Sequence, residues 1–451
     1  MPDLDAIFKA YDIRGTTPDQ LDPELARAIG GAFARFVSAQ VGGARKVLIG
    51  RDMRASGVEL AAAFGDGVRS QGLDVVDLGL ASTDLVYFAA GSLDAPGVML
   101  TASHNPARYN GMKMCLAGAR PIGEDTGLRE IKAMVEAGVP TAEGPAGGQE
   151  SLNLLRAFAD HVRSFIDVGA LRPMKIVADT ANGMGGLVVP AVFEGLPMDL
   201  EIMYGELDGT FPNHPADPIQ PENLRALQAR VLEVGADVGL AFDGDADRVF
   251  LVDDKGQALS GSLTTAIVAA GVLAKQPGAT ILYNCICSKA VPEVVRERGG
   301  TPVRTRVGHS FIKSVMAETG AAFGGEHSAH YYFRENYRAD SGSIAALVVL
   351  EQLSQAGVPL SELRQPFDRD AASGEINTTV ADTAVVIERV AAHYPADSHD
   401  HLDGLTVDQG SWWFNLRPSN TEPLLRLYLE AADEASCAAR VAEVLALFDA
   451  P

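Results

Sequence analysis

The chain has 451 residues, more than one hydrophobic core usually organises, so three or four domains are expected. Its 59 acidic and 37 basic side chains give a net charge of −22, which argues against nucleic acid or an anionic membrane as a partner. The N-terminus lacks a signal-peptide pattern, no apolar run is long enough to span a bilayer, and the four cysteines show no disulfide or metal-ligand spacing. We therefore expect a soluble, cytoplasmic protein with buried free thiols.

The first part of the chain alternates strand-like and helical segments. A strand pattern over 46–50 is followed by a helical pattern over 57–71 and by the strand-like run "DVVDLG". This alternation is typical of α/β domains. The stretch 137–149, rich in Gly, Pro and Ala, indicates a linker. We therefore expect a first α/β domain over residues 1–145.

The apolar run 97–100 leads directly into "TASHNPARYNG", which presents Ser103, His104 and Asn105 ahead of Pro106. Asn-Pro sequences open turns, so these side chains could simply shape a loop. Alternatively, Ser103 is a nucleophile on a rigid loop at the carboxyl end of a strand, where open α/β sheets bind their ligands. This loop alone leaves both interpretations open.

A second α/β domain is expected over residues 150–254, with the strand "VGLAF" followed by "DGDADR". Asp243, Asp245 and Asp247 alternate, so an extended segment would point all three carboxylates to one side. Such like charges repel one another unless a cation neutralises them, and oxygen ligands favour Mg²⁺. Arg248 stands where an EF-hand loop needs glycine, which excludes that motif. A solvated acidic turn is the alternative, and Arg248 is either a phosphate contact or a surface cation.

A third α/β domain is expected over residues 255–366. Helical patterns cover 262–275 and 341–355, and the strand-like runs are "TILYNCICS" (280–288), "TPVRTRV" and "AAFGGE". The last of these runs leads into another polar loop, "GEHSAH".

In "GEHSAH", the residues Glu326, Ser328 and His330 alternate along a loop that we expect to be extended. A carboxylate and a hydroxyl together suit the hydroxyl groups of a sugar, and His330 could move a proton near neutral pH. His327 is out of phase with these three, which favours a structural role. The nearby segment "RVGHSFIK" adds Arg306, His309 and Lys313.

A small antiparallel α+β domain is expected over residues 367–451, because four strand-like runs here accompany only two helical patterns. The helical patterns cover 384–393 and 435–448. The run "SWWFNLR" leads into "RPSNTEP", where Arg417, hydroxyls and an amide could bind a phosphate dianion. A hairpin connection rich in turn residues is an equally good interpretation of this stretch.

Four apolar strands, one in each expected domain, thus run directly into a polar loop. Binding sites lie where rigid elements deliver loops, so the four loops predict four walls of one shared cleft.

With these motifs in this order, the chain resembles the α-D-phosphohexomutases, and most nearly the bacterial phosphomannomutase/phosphoglucomutase group. The resemblance runs from "AYDIRG" to "RPSNTEP" and includes the serine, metal, sugar and phosphate loops. It implies three α/β domains with mixed sheets and a smaller C-terminal α+β domain with an antiparallel sheet, around a central cleft. His327 and Ala329 stand where many relatives carry Met or Gln and Gly, so the preferred sugar stays open.

The resemblance also implies a role for each site residue. Ser103 would carry a phosphoryl group and would ligate one Mg²⁺ together with Asp243, Asp245 and Asp247. The residues expected around the transferring phosphoryl group are Arg14, Lys113, Arg248, His309 and His330. Those expected to contact the substrate are Tyr11, Lys289, Glu326, Ser328, Arg417, Ser419, Asn420 and Thr421.

The implied reaction converts a hexose 6-phosphate, of mannose and also of glucose, into the hexose 1-phosphate. It passes through phospho-Ser103 and a hexose 1,6-bisphosphate, which is also the expected activator. A phosphoglucosamine mutase and a metal-dependent phosphatase with a phosphoserine intermediate are the alternatives. A non-catalytic sugar-phosphate sensor is disfavoured because Ser103, Lys113 and the three aspartates are all present. The sequence leaves open whether the protein is a monomer or a homodimer.

Overall fold

A computed structural model of the chain describes residues 3–40, 43–418 and 424–448, except for the side chain of His309. The strands of these residues form four sheets, which follow one another along the chain. The first three sheets are mixed and the fourth is antiparallel, so the expected fold class is confirmed. Among the helices described, none is long and apolar enough to cross a membrane.

The first sheet has seven strands and carries the serine loop. The strands are β1 (Ile13–Thr16), β2 (Lys46–Arg51), β3 (Asp74–Leu80), β4 (Gly97–Leu100), β5 (Tyr109–Leu116), β6 (Arg120–Pro121) and β7 (Gln149–Ser151). The helices of this region are α1 (Leu4–Ile7), α2 (Pro23–Ala39), α3 (Ser56–Arg69), α4 (Thr83–Ser92) and α5 (Leu128–Ala137). The order is β1-β5-β4-β2-β3-β7, with β6 beside β5. Strand β7 lies beyond residue 145, and the domain boundaries stay a prediction.

The second sheet has five strands and carries the aspartate loop. The strands are β8 (Met174–Asp179), β9 (Met198–Met203), β10 (Val238–Phe242), β11 (Val249–Asp253) and β12 (Ala258–Leu259). The helices are α6 (Leu155–Arg163), α7 (Gly185–Phe193) and α8 (Pro221–Val234). Strands β9, β8 and β10 are parallel, while β10, β11 and β12 are antiparallel. The aspartate loop is therefore the connection of the β10–β11 hairpin.

The third sheet has four strands, in the order β14-β13-β15-β16, and carries "GEHSAH". The strands are β13 (Thr280–Asn284), β14 (Thr301–Thr305), β15 (Phe323–Gly325) and β16 (Tyr331–Phe333). The helices are α9 (Gly261–Lys275), α10 (Ala290–Glu297), α11 (His309–Thr319), α12 (Gly342–Ala356) and α13 (Leu360–Leu363). The strand expected over 280–288 was predicted too long. It ends at Asn284, and the cysteines that follow lie in a turn, where both are buried.

The fourth sheet is antiparallel throughout and has six strands. The strands are β17 (Ala371–Ala372), β18 (Ile376–Thr379), β19 (His399–Asp400), β20 (Leu405–Asp408), β21 (Trp412–Pro418) and β22 (Leu424–Ala431). The helices are α14 (Thr383–His393) and α15 (Glu434–Ala446). Leu416, Leu427 and Phe414 are fully buried in a core that belongs to this domain alone.

The first three sheets are joined by a continuous core. Leu48 of the first sheet, Leu240 of the second and Ile281 of the third belong to one buried apolar cluster. Because protein interiors are close-packed, such a shared core fixes these sheets relative to one another. The ends of β4, β10 and β15, from which the polar loops leave, are thus held in a fixed arrangement.

Helices α2 and α3 meet backbone to backbone at two glycines. A Cβ atom added to Gly67 would lie 2.0 Å from Arg27 O, and one added to Gly30 would lie 2.1 Å from Phe64 O. Neither contact can be relieved by a side-chain rotation, because both involve backbone atoms. We predict that Gly67→Ala lowers the stability of the first domain by about 1–3 kcal/mol, as overpacking does.

The control is Gly65→Ala on the same helix, whose added Cβ would make only ordinary contact, 3.4 Å from Ile49 Cδ1. It should leave stability unchanged or raise it by up to about 1 kcal/mol through helix propensity. Urea denaturation of both variants measures the difference. Equal midpoints for the two would show that the helices separate at no cost.

Candidate active site

Ser103 lies on the loop after β4 and is 5% exposed. Its φ is +50°, a left-handed conformation that costs energy for a residue other than glycine. Its N–H donates to Thr101 Oγ1 at 2.9 Å, and its hydroxyl donates to Asp243 Oδ2 at 2.8 Å. The serine of the first domain is therefore held against the aspartate loop of the second.

The three aspartates converge, but not for the reason that their spacing suggested. The expectation of an extended segment is wrong, because the loop turns at Ala246, whose φ is +60°. The turn brings one carboxylate oxygen each of Asp243, Asp245 and Asp247 within 4.8 Å of one another, and all three residues are buried. A hairpin loop thus presents three acids at one point.

Two cations neutralise part of this acidic charge. Lys113 of β5 donates from Nζ to Asp245 Oδ2 and to Asp247 Oδ2, both at 2.7 Å. Arg248 donates from Nε to Asp243 Oδ2 at 2.9 Å. With all five groups charged, three carboxylates and two cations leave one net negative charge in a buried site. A further cation is therefore favoured there.

The environment separates the pKa values of the acids. Burial raises the pKa of Asp243 to about 7 against the opposing effect of Arg248, and the other two carboxylates raise it further. Burial would also raise the pKa of Asp245, but Lys113 and the hydroxyl of Thr83 outweigh it, and the pKa falls well below its usual range. Thr83 donates to Asp245 Oδ2 at 2.6 Å. Asp245 therefore stays ionised at neutral pH, whereas Asp243 titrates close to it.

Within the aspartate cluster, two buried carboxylate oxygens lack a hydrogen-bond partner among the described residues, Asp245 Oδ1 and Asp247 Oδ1. A buried oxygen that accepts nothing costs free energy, and a divalent cation would remove that cost. Oxygen atoms alone, in a cluster of carboxylates beside a serine hydroxyl, are the ligands that suit Mg²⁺. The residues present therefore fit the magnesium ion that the sequence predicted.

His104, next to the serine, is held neutral. Burial lowers the pKa of its imidazole well below the usual value, and the nearby guanidiniums of Arg248 and Arg14 lower it further. Its Nδ1 lies 2.7 Å from Arg248 Nη2, so this nitrogen accepts a hydrogen bond. Arg14 also donates to Asn105 Oδ1 at 2.6 Å. Two of the cations expected around the phosphoryl group, Arg14 and Arg248, thus contact the serine loop.

His330 lies beside the aspartates and is held there by a buried acid, Asp340, which the sequence did not indicate. Its Nδ1 is 2.8 Å from Asp340 Oδ2 and 3.9 Å from Asp247 Oδ1. Burial alone would lower the pKa of His330, but these two carboxylates outweigh it and raise the pKa. Lys313 is buried on the other side of Asp340, with Nζ 3.0 Å from Asp340 Oδ1. His330 is thus oriented by Asp340, and both carboxylates favour its protonated form.

Glu326 is buried, and both of its oxygens already accept hydrogen bonds. Oε1 accepts from Asn284 Nδ2 at 3.1 Å and from Gly308 N at 3.0 Å, and Oε2 accepts from Tyr332 at 2.7 Å. The expected extended loop is wrong here too, because the segment turns at Ala329, whose φ is +65°. A carboxylate has about four acceptor positions, so Glu326 has room for one further donor.

The remaining predicted substrate contacts are distributed around the third and fourth domains. Arg417 donates to Glu375 Oε2 at 2.6 Å, and the hydroxyl of Tyr11 lies 3.5 Å from Val307 O. Lys289 is engaged away from the aspartates, since Nζ donates to Asp408 Oδ1 at 2.6 Å. Ser328 is half-buried beside Glu326. Outside the described part of the chain lie the side chain of His309 and all of Ser419, Asn420 and Thr421.

His327 takes the structural position that its phase suggested. Its Nδ1 lies 3.0 Å from Ser262 Oγ, and its ring packs edge-on against Tyr428 at 4.7 Å. Burial lowers its pKa to about 4, so the ring is neutral at physiological pH.

Sequence reasoning also missed Asp52 and Arg54, which are buried behind the serine loop. Both follow directly after strand β2, the neighbour of β4 in the sheet. A polar pair at the end of a buried strand is the same signal that identified the other loops. It could have been applied to "GRDMR" as well.

Four family models match this chain in order along its length. They describe the phosphoglucomutase/phosphomannomutase alpha/beta/alpha domains I, II and III and the C-terminal domain, and they match residues 5–140, 156–256, 260–369 and 375–447.

Several known proteins are similar to this chain over nearly its whole length. A protein described as "Phosphohexose mutases" from Xanthomonas campestris pv. campestris is 43% identical over 433 residues, 95% of this chain and 96% of that protein. A "Phosphomannomutase" of Salmonella montevideo is 40% identical over 454 residues, 98% of each chain. The X-ray structure of a phosphoglucomutase/phosphomannomutase family protein from Burkholderia thailandensis has a TM-score of 0.89 and 34% identity, covering 99% of this chain and 97% of that one.

The aspartate cluster predicts a measurable metal site. Asp245→Asn keeps the size of the side chain but removes one charge and one anionic ligand, so Mn²⁺ used as a probe should bind at least tenfold more weakly. Electron paramagnetic resonance of free Mn²⁺ in a titration measures this affinity. Asp199→Asn, at an exposed position on β9, removes the same charge elsewhere and should leave binding unchanged. Undiminished Mn²⁺ binding by Asp245→Asn would show that the aspartates are no metal site.

Proposed function

This chain belongs to the phosphoglucomutase/phosphomannomutase family, and we propose that it interconverts hexose 6-phosphates and hexose 1-phosphates through a phosphorylated Ser103. One observation carries the proposal beyond family membership. The buried hydroxyl of Ser103 lies 2.8 Å from Asp243, in a cluster of three carboxylates with Lys113 and Arg248 beside it. A nucleophile among anionic ligands and cations is what phosphoryl transfer needs, because that reaction depends mostly on positioning and charge stabilisation.

The charges of the site explain how an anion can enter an acidic protein. The three aspartates with Lys113 and Arg248 leave a net charge of about −1, from which a phosphate would be repelled. Mg²⁺ bound by Asp243, Asp245, Asp247 and Ser103 would reverse that charge and polarise the phosphoryl oxygens. Arg14 and Arg248, which already contact the serine loop, would hold the equatorial oxygens of the phosphoryl group.

His330 is the best-placed described group for moving a proton. Its Nδ1 is committed to Asp340, which leaves Nε2 as the ring nitrogen that can reach a sugar hydroxyl. The imidazole would take the proton of the attacking hydroxyl when phospho-Ser103 donates, and would return it in the reverse step. Lys113, with its ammonium between two aspartates, would stabilise charge on the serine oxygen as the bond to phosphorus breaks.

The sugar would be held at two ends. Glu326 and Ser328 would contact ring hydroxyls, and Arg417 with Ser419, Asn420 and Thr421 would hold the phosphate that is not reacting. Lys289 would reach the substrate only after leaving Asp408, and Tyr11 would contact it from its position beside Val307. The hexose 1,6-bisphosphate formed from phospho-Ser103 would then turn end for end and return its other phosphate to the serine.

The C-terminal domain would close the site against water. It has its own core, so it can move as a unit relative to the first three domains. A mutase must exclude water from phospho-Ser103, because water would convert the transfer into hydrolysis. The four cysteines are buried and unpaired, which agrees with action in a reducing compartment such as the cytoplasm.

We predict that Ser103→Ala loses at least about three orders of magnitude in kcat for mannose 1-phosphate, because the covalent intermediate cannot form. A coupled assay with a 1,6-bisphosphate activator measures turnover, and intact-mass spectrometry measures one phosphate per chain in the unmodified protein after exposure to the activator. Ser151→Ala, an exposed serine on β7, is the control and should behave as the unmodified protein. Near-normal turnover by Ser103→Ala, or phosphate retained on that variant, would refute the assignment.

We also predict weak discrimination between mannose and glucose phosphates. The substrate must bind in two orientations that exchange its ends, and contacts to the 3- and 4-hydroxyls serve both orientations. With no group committed to the 2-hydroxyl, kcat/KM for the two sugars should agree within about two orders of magnitude.

Glu326→Gln keeps the shape of the side chain, and it should weaken both sugars by similar factors. Steady-state kinetics with mannose, glucose and glucosamine 1-phosphates measures the effect on each sugar. If Glu326→Gln lowers kcat/KM for only one of the two sugars, Glu326 contacts the substituent at carbon 2, and the assignment to the 3- and 4-hydroxyls is wrong. A clear preference for the glucosamine phosphate would instead identify a phosphoglucosamine mutase, and release of inorganic phosphate without sugar product would identify a phosphatase.

A further inference from the structure

We propose that Arg54 is a positioning residue, which fixes the conformation of the serine loop and so sets the direction of the Ser103 hydroxyl. The inference rests on the proposed function, since it concerns the same serine. Arg54 follows strand β2 and is 1% exposed. A guanidinium buried so completely must have partners for its charge and for its five N–H groups.

All five N–H groups of the Arg54 side chain are used, and four of them grip the serine loop. Nη2 donates to Ser103 O at 2.8 Å and to Asn105 O at 2.7 Å. Nη1 donates to Pro106 O at 2.9 Å and to Tyr109 O at 3.1 Å. One planar group therefore fixes four carbonyl oxygens along a seven-residue stretch that contains the nucleophile.

We call Arg54 and the four carbonyl groups that it binds the clamp. The fifth N–H of Arg54 connects the clamp to the amide of Ser103. Nε donates to Asp52 Oδ2 at 3.1 Å, and the same oxygen accepts from Thr101 Oγ1 at 2.7 Å. Thr101 Oγ1 in turn accepts the N–H of Ser103. The peptide group on each side of Ser103 is thus tied to the Asp52–Arg54 pair, the amide through Thr101 and the carbonyl directly.

The clamp accounts for the strained backbone of the nucleophile. Ser103 has a φ of +50°, which an L-residue adopts only when its surroundings impose it. Hydrogen bonds at both its N–H and its C=O supply that constraint. Because these bonds use every donor of Arg54, the guanidinium has no donor left for a phosphate. Its role is therefore to place Ser103 and not to bind the substrate.

The second domain encloses the clamp. The ring of Phe211 lies 5.1 Å from the guanidinium carbon, and a Cβ added to Gly209 would lie 2.7 Å from Arg54 Cα. A Cβ added to Gly244 in the aspartate loop would lie 2.4 Å from Ser103 O, the oxygen that Arg54 also binds. Arg54 therefore sits where the serine loop meets the domain that carries the aspartates, and it fixes their relative placement.

Lysine cannot replace this group, because one ammonium has three donors at a single point and cannot reach four carbonyls in a fork. In Arg54→Lys we expect kcat to fall at least about 100-fold, as a displacement of about 1 Å at a reacting atom can cause, with KM within threefold of the unmodified value. Phosphorylation of Ser103 by a hexose 1,6-bisphosphate, followed by quenched-flow mass spectrometry, should slow by a similar factor. Mn²⁺ affinity should change far less than kcat, because the three aspartates among the four expected ligands keep Lys113 and Arg248.

The matched control is Arg163→Lys. Arg163 also donates to three backbone carbonyls, those of Ala191, Val192 and Glu194, but in the second domain away from the serine loop. This variant should lower the unfolding temperature without changing kcat. A purely structural role for Arg54 would make the two variants alike, with lower unfolding temperatures and unchanged kcat, and that result would overturn the proposal.

Asp52→Asn provides a second test should Arg54→Lys not fold. It keeps the shape of the side chain but weakens its hold on Arg54 and Thr101, so kcat should fall about tenfold at unchanged KM. A folded Asp52→Asn protein with kcat within twofold of the unmodified value would then overturn the proposal. The unmodified protein is assayed first: if it lacks mutase turnover, the proposed function has failed, whereas turnover in it together with undiminished variants refutes the role of Arg54 alone.

Discussion

The site depends on the burial of three carboxylates at one point between two domains. Asp243, Asp245 and Asp247 repel one another, and burial makes that repulsion stronger than it would be in water. The second domain does not balance them alone, because Lys113 comes from the first domain. The aspartate loop of the second domain is thus neutralised in part by a lysine of the first domain. With all five groups charged, one negative charge remains, which suits a divalent cation. Ser103 lies at this junction, and its hydroxyl donates to one of these acids, Asp243.

The backbone supplies the accuracy that such a junction requires. Gly244 lets the aspartate loop approach Ser103 O more closely than any side chain would allow, and Arg54 holds that same oxygen from the other side. A core shared by the first three domains keeps these loops in a fixed position relative to one another. The C-terminal domain packs around a core of its own. The serine and aspartate loops therefore lie in the domains that share one core, and the domain that we propose to close over the substrate has a separate core.

Much of this arrangement could be predicted from sequence because the chemistry lies in short segments directly after buried strands. The segments "TASHNP" and "DGDADR" contain residue types that predict a nucleophile and a metal site. The alternation of strands and helices indicates the three α/β domains. The expectation that Asp243, Asp245 and Asp247 converge was right, but the extended segment from which it was argued was wrong. A left-handed turn at Ala246 brings them together. Two contacts were not predictable from the motifs. The chain folds back after β16, so that Asp340 reaches His330, and Lys289 pairs with Asp408 of another domain. Glu326 looked like a free sugar ligand, yet the fold gives it three donors.

In the proposed reaction, Ser103 passes its own phosphoryl group to the substrate and takes back another. A single turnover tests this directly: the protein is labelled with ³²P on Ser103, freed of excess label, and mixed with unlabelled mannose 6-phosphate. We expect the label to leave the protein and to be found at carbon 1 of mannose 1-phosphate, because the phosphate returned to Ser103 comes from carbon 6. Label recovered as inorganic phosphate, or retained on the protein while mannose 1-phosphate forms, would contradict it.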